Sequence, residues 1–196
     1  MDSLTVMCMI NEVKATKFKV GRMDQYYVDI THINNPDSFY VRPIRFRHFV
    51  SKLEVPGEPI TKDSDVEEGN IIIYASEVLK RKARGKILAM EVTDIMKCKI
   101  YAIDEGLFET VICYKDNMWF PLQSIEMPSL ITHCKLAYNR EPSKKWSAAA
   151  IQAFKDYTAH TAVRIMLREI TPDTAIVEVT DPPYIVTHLS RLPRIY

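Results

Sequence analysis

The densest group of chemically active side chains is a run of cations, Lys80, Arg81, Lys82, Arg84 and Lys86, which reads as a loop. Arg42, Arg45 and Arg47 form a second basic group. Patches of this kind attract phosphates, and barrels of the oligonucleotide-binding type hold single strands with a basic groove and stacking rings. Two features weigh against specific RNA recognition. No aromatic residue is interleaved with the Lys80–Lys86 run, and the formal net charge of the chain is only +1. A charge run is also the ordinary make-up of a solvated face. RNA, or an acidic partner, is therefore the alternative occupant of this patch.

Other chemistry finds little support. Cys8, Cys98, Cys113 and Cys134 show no CxxC spacing, and the five histidines are scattered. A zinc site needs close pairs of such ligands, so buried thiols are expected and neither metal nor cofactor is. His133 and Cys134 are adjacent, which suggests a strand end. A nuclease would need clustered carboxylates and arginines; Asp29 and Asp37 flank a turn, but no such constellation is recognisable, and no enzyme is expected. The amino terminus carries an acid at Asp2 and no basic leader, and no apolar run reaches the length of a membrane span. A reducing cytoplasm or nucleus is the expected setting, with no membrane partner.

The elements that must position these residues are mostly strands. Ile71–Tyr74, Ile87–Val92, Lys97–Ile103 and Phe108–Tyr114 are short, β-branched or aromatic, and alternate at period two. Asp104-Glu105-Gly106 turns between the last two. Four or five such strands suffice for a small barrel or a strongly bent sheet. Ahead of it, Ser3–Val20 alternates as one or two strands, an edge hairpin open to pairing with another chain. Tyr26–Ile30 and Phe39–Val41 make a hairpin about an Asn-Asn-Pro-Asp turn. Ile44–Leu53 reads as a helix after Pro43, with Ile44, Phe46, Phe49, Val50 and Leu53 on its apolar face and Arg45, Arg47 and Lys52 outside.

After the central strands come extended pieces at Trp119–Ile125 and Ile131–Leu136. The strongest helix is Ser143–His160, with Trp146, Ala150, Phe154 and Tyr157 on one face and Ser143 or Ser147 as cap. Those aromatics are core by spacing. A hairpin of Val163–Leu167 and Ile176–Val179 follows, and Val186, Leu189 and Leu192 suggest a last short element. The simplest architecture is a β-rich α+β chain in which one small β-unit interrupts another, the long helix bracing the junction.

That order resembles an extended Tudor domain, a Tudor SH3-like barrel inserted in a staphylococcal-nuclease-like, OB-type fold. The resemblance rests on residues 36–41 (PDSFYV) beside the family's "PSxFYV", residues 84–87 beside "RAxV", residues 103–111 (IDEGLFETV) beside "IDYGNxExV", residues 127–136 beside "LPxxAxxCxL", and Trp146, Ala150 and Phe154 beside "WxxxAxxxF". It implies an N-terminal β extension over 1–24, nuclease-like halves at about 25–62 and 126–196, and a Tudor barrel at about 63–125. Residues 142–152 (PSKKWSAAAIQ) are similar to the first such domain of the Yb-like Tudor–helicase proteins of the piRNA pathway. By that likeness this is a fragment that precedes a helicase.

The resemblance implies a protein-interaction module. Its members enclose a symmetrically dimethylated arginine of a Piwi-type protein in an aromatic cage, held by cation–π attraction and apolar contact. Here the cage tyrosine position is Glu105 and the asparagine position is Leu107, while the loop Glu77–Ala83 offers no ring and several cations. Tyr74, Leu79, Tyr101, Asp104, Glu105, Leu107 and Phe108 are thus expected to form a degenerate cage or peptide groove. The expected function is binding of a Piwi-family or other granule protein largely without methylarginine, in a perinuclear germ granule. The groove at the domain junction or an exposed strand would serve, and the N-terminal extension could self-associate.

Overall fold

The computed structural model describes residues 3–15, 18, 25–62, 65–113, 116–122, 127–137, 145–159 and 162–181. In chain order the elements are α1 (Ser3–Ala15), β1 (Gln25–Asn35), β2 (Ser38–Pro43), a 3-10 turn at Ile44–Phe46, α2 (Arg47–Leu53), β3 (Pro56–Pro59), β4 (Ile71–Ser76), β5 (Arg81–Val92), β6 (Met96–Ala102), β7 (Leu107–Ile112), β8 (Met118–Pro121), β9 (Thr132–Leu136), α3 (Ala148–Thr158), β10 (Val163–Ile170) and β11 (Ala175–Asp181). Contacts divide the chain into two units, Met1–Ala15 with Phe46–Leu130, and Thr16–Arg45 with Ile131–Tyr196. One unit therefore interrupts the other along the sequence, as expected. Its limits are wider than the expected 63–125, because α1, α2 and β3 belong to it.

The interrupted unit is a closed barrel of order β1-β10-β11-β9-β2, in which only β9 and β11 run parallel. Alternate residues of every strand point inward: Val28, Phe39, Val41, Cys134, Leu136, Val163, Ile165, Leu167 and Val177 are buried together. The turn between β1 and β2 closes as its composition dictates, with Asp37 N donating to Asn35 Oδ1 at 2.7 Å. His133 lies between Ser38 Oγ (3.0 Å) and Thr174 Oγ1 (2.9 Å), a strand-bridging role. The helix α3 is capped by Ser147, whose Oγ accepts from Ala150 N at 3.1 Å. Ala150 and Phe154 enter the barrel core, and Phe154 meets Phe39 edge-on with ring centroids 5.2 Å apart.

Two expectations for that helix change. Trp146 lies before the first turn and is held by its indole N–H, which donates to Asp37 Oδ2 at 2.9 Å. Tyr157 is partly exposed and is not core. A period of three to four fixes a face only where the helix has begun and while a partner covers it. Val20, Ser143, His160, Val186, Leu189 and Leu192 lie outside the described residues.

The interrupting unit holds a six-stranded antiparallel sheet of order β3-β8-β4-β5-β6-β7. Ile72, Tyr74, Ala83, Ile87, Cys98, Ile100, Ala102, Leu107 and Val111 build its core from one face. The β6–β7 turn needs Gly106, whose φ is +83°, and both Glu105 N and Gly106 N donate to Ala102 O. Gly85 is required for a different reason. A Cβ there would lie 2.7 Å from Tyr74 Cε1 and collide with Ile100 Cγ2, so the Tyr74 ring rests on bare backbone.

The N-terminal segment overturns its reading as strands: Ser3–Ala15 is the helix α1. Leu4, Val6, Cys8 and Ile10 alternate in sequence, but Leu4 and Cys8 are exposed. The residues that bury are Val6, Met9 and Ile10, with Val13 partly covered, spaced three, four and seven along the chain. A short apolar run satisfies both periods, and burial selects the helical one. These side chains pack with Phe46, Phe49, Val50, Met127 and Leu130. Expectation and structure agree on α2 over Arg47–Leu53, but Ile44–Phe46 form a 3-10 turn before it, and Ile44, expected on the apolar face, is exposed there while Phe46 is buried.

Candidate functional site

The residues expected at the mouth of the small sheet are distributed over its two faces. Tyr74 and Leu107 point into the core, and Leu79 packs against it. Tyr101 and Phe108 occupy the opposite face, since their strand neighbours Ile100, Ala102, Leu107 and Val111 are the inward ones. The two rings touch each other, with centroids 4.9 Å apart, and Phe108 is 55% exposed. Alternation along β6 and β7 fixes this outcome, because a residue one position away faces the other side. Among the described residues the three rings therefore do not converge.

Asp104 is buried and fully engaged. Arg84 Nε donates to its Oδ2 at 2.8 Å and Arg84 Nη2 to its Oδ1 at 2.9 Å, a two-pronged ion pair. Leu130 N donates to the same Oδ1 at 3.0 Å. The remaining guanidinium donors serve backbone: Nη1 to Met127 O at 2.9 Å and Nη2 to Pro128 O at 3.1 Å. The planar fork of arginine matches a carboxylate in a way lysine does not, which suits it to a buried position. The pair pins residues 127–130 and the β6–β7 turn to β5.

Glu105 is also spoken for. Arg81 Nη2 donates to Glu105 Oε1 at 2.6 Å, and Arg81 Nη1 pairs with Glu54. A guanidinium of the chain itself thus lies between two carboxylates, one of them at the position of the family's tyrosine. Burial pushes the Glu54 carboxyl up to about 7, against the pull of Arg81. The same carboxylates raise the Arg81 guanidinium above its already high value despite its own desolvation.

A second polar knot fills the inner face. Glu109 accepts from Tyr74 Oη at 2.9 Å, from Ser76 Oγ, and from Val78 N at 3.4 Å. Ser76 Oγ in turn accepts from Leu79 N at 2.9 Å and so closes the β4–β5 turn. Burial, then the Glu109 charge, holds the Tyr74 hydroxyl well above the usual phenol range. Glu109, Ser76 and Glu54 escaped sequence reasoning. Only Glu109 carried a signal, as the glutamate of the "IDYGNxExV" resemblance.

The run of cations is not a loop. Arg81, Lys82, Arg84 and Lys86 are residues of β5, and Lys80 alone sits in the turn, with φ at +56°. Arg84 is buried against Asp104, and Arg81 is bridged to two acids. Lys82 Nζ lies 4.3 Å from the centre of the Trp119 ring. Strand alternation and internal pairing dissolve the patch that adjacency in sequence suggested. The second basic group is likewise interrupted, with Arg42 Nη2 3.9 Å from Asp29. Among the described residues no group of three His, Cys, Asp or Glu side chains could hold a metal, and no helix is long and apolar enough to cross a membrane.

No family model matches the sequence, and no curated protein matches it. Solved structures do. The human TDRD1 extended Tudor domain, crystallised with a symmetrically dimethylated peptide, has a TM-score of 0.68 at 16% identity over 89% of this chain and 90% of that one. An extended Tudor domain of mouse TDRD1, bound to a MILI peptide containing dimethylarginine, also scores 0.68 at 16% identity, covering 92% and 97%. The Drosophila melanogaster Papi extended Tudor domain, in complex with a Piwi N-terminal peptide, scores 0.62 at 15% identity, covering 81% and 90%. The closed outer barrel, the interrupting six-stranded sheet and these likenesses together make the fold that of an extended Tudor domain, a Tudor unit set into a staphylococcal-nuclease-like, OB-type barrel.

Proposed function

We propose that this chain is a protein-interaction module of a piRNA-pathway Tudor protein, of the Yb-like group, which binds a Piwi-type or granule protein largely independently of symmetric dimethylarginine. Structural likeness to domains solved in complex with dimethylated peptides supports the binding role. The observation that carries the independence from methylation is the state of Glu105. It stands where the family has a cage tyrosine, and its carboxylate is taken by Arg81 of the same chain. A methylated guanidinium arriving there would meet Arg81, not a ring face, and the cation–π term would be missing. Tyr101 and Phe108, turned to the other face of the sheet, do not replace it. A perinuclear germ granule is the setting this reading implies.

The test is a calorimetric titration with an Arg-Gly peptide from a Piwi N-terminus, in unmethylated and symmetrically dimethylated forms. Affinities within about threefold of each other are expected, a difference under about 0.7 kcal/mol. A tenfold or greater preference for the methylated peptide overturns the reading. A pull-down from germ cells with Glu105→Lys as the comparison then identifies the partner.

A further inference from the structure

The outward face of β5, β6 and β7 carries a second surface that the peptide-binding reading does not use. Lys86, Tyr101 and Phe108 are cross-strand neighbours in one row. The next rows along β6 hold Lys99 opposite Thr110, and Lys97 opposite Ile112. All three lysines and Phe108 are exposed, and Tyr101 is partly so. Residues two apart on one face of a strand lie about 7 Å apart, so Lys97, Lys99 and Tyr101 form a line of charge ending in a ring. Lys86, Lys97 and Lys99 have no ion-pair partner among the described residues, in contrast to Arg81 and Arg84. The one carboxylate in these rows is Glu91, across from Lys97.

We infer that this face binds single-stranded RNA, a base stacking on the Phe108–Tyr101 rings and the phosphates passing along Lys86, Lys99 and Lys97. Unpaired lysines beside exposed ring faces are what sequence-tolerant single-strand binding needs: cations that follow the backbone and a π surface for the bases. An acidic peptide would satisfy the lysines and leave the rings unused, so RNA is the ligand that accounts for both. With a chain charge of only +1, attraction must come from this local concentration and not from a global field.

The experiment is fluorescence anisotropy of a labelled oligouridylate of about 12 nucleotides, a length within single-strand site sizes, titrated with the purified chain between about 50 and 200 mM salt. Saturable binding is expected. Phe108→Ala should weaken it about 5- to 150-fold, the worth of one stacked base, while Phe108→Tyr keeps it. Lys97→Glu with Lys99→Glu should flatten the slope of log affinity against log salt by about 1.4, two phosphate contacts on a single strand. Lys80→Ala with Lys82→Ala should leave affinity unchanged. The inference is overturned by any of three results: no saturable binding at the lowest salt, loss of binding in the Lys80/Lys82 variant, or an unaltered Phe108→Ala affinity together with displacement by oligoglutamate. The last would mark a surface for acidic proteins. Phe108 is exposed, so its variants should unfold at the wild-type urea midpoint, which confirms that affinity alone has changed.

Discussion

Removing Arg84 tests the strongest claim about how the mouth of the small sheet is held. The guanidinium makes two bonds to Asp104 and one each to Met127 O and Pro128 O, all within 2.8–3.1 Å, at a buried position. In Arg84→Ala the Asp104 carboxylate keeps only the Leu130 N–H and remains out of water. Breaking a buried pair from one side costs about 3–5 kcal/mol, most of it the uncompensated charge. The two orphaned carbonyls, of which Met127 O takes part in a buried bond, add about 1 kcal/mol or more. The single variant should therefore lose about 4 kcal/mol or more. Arg84→Met combined with Asp104→Leu removes both charges and keeps volume, and should lose no more than about 1–2 kcal/mol, because an apolar pair often matches a buried ion pair. With the single variants Arg84→Met and Asp104→Leu each leaving one charge buried and unpaired, the cycle closes on a coupling of about 2–3 kcal/mol or more. Urea unfolding provides the measurement, followed by Trp119 fluorescence in a Trp146→Phe background so that the signal comes from the interrupting unit. Equal m-values are needed for the comparison. A single-variant loss below about 1 kcal/mol, or a double variant as damaged as the sum of its parts, would refute the reasoning from burial and pairing.

Other consequences follow from the same geometry. Gly85→Ala should destabilise by about 1–3 kcal/mol, since a methyl group cannot enter between Tyr74 and Ile100 without displacing the ring, and chemical unfolding would register it. Glu54 has its folded value raised to about 7 by burial, above its ordinary 4.5, so the folded state holds a proton there that the unfolded chain has released. Its stabilising contribution is complete below about pH 4.5 and is lost as pH rises through about 7. After allowance for partial solvation, wild type should lose about 1–2 kcal/mol relative to Glu54→Gln between pH 5 and 8, and a difference that stays flat would contradict the assignment.

Sequence alone carried most of the scaffold. Period-two alternation located β4, the second half of β5, β6, β7 and the β10–β11 hairpin, the Asn-Asn-Pro-Asp turn joined β1 to β2, and Ser147 was one of two candidate caps for α3. These features are local: side-chain alternation and turn chemistry act within a few residues, so adjacency in the chain suffices to read them. The order of the elements likewise carried the interruption of one unit by another. The identity of Glu105 and Leu107 at the turn was legible too, because a position in a motif needs no coordinates.

What each charge and ring does was settled only by packing. Arg84 and Lys86 are two residues apart on the same side of β5, yet one is buried on Asp104 and the other is exposed, since residues 127–130 reach Arg84 and not Lys86. Tyr74 and Tyr101 looked equivalent as ring donors and lie on opposite faces. In α1, an apolar pattern compatible with both periods became a helix because Phe46, Phe49 and Leu130 offered it a face to bury. Partners distant along the chain decide desolvation, and desolvation decides whether a charge is a structural tie or a free surface group.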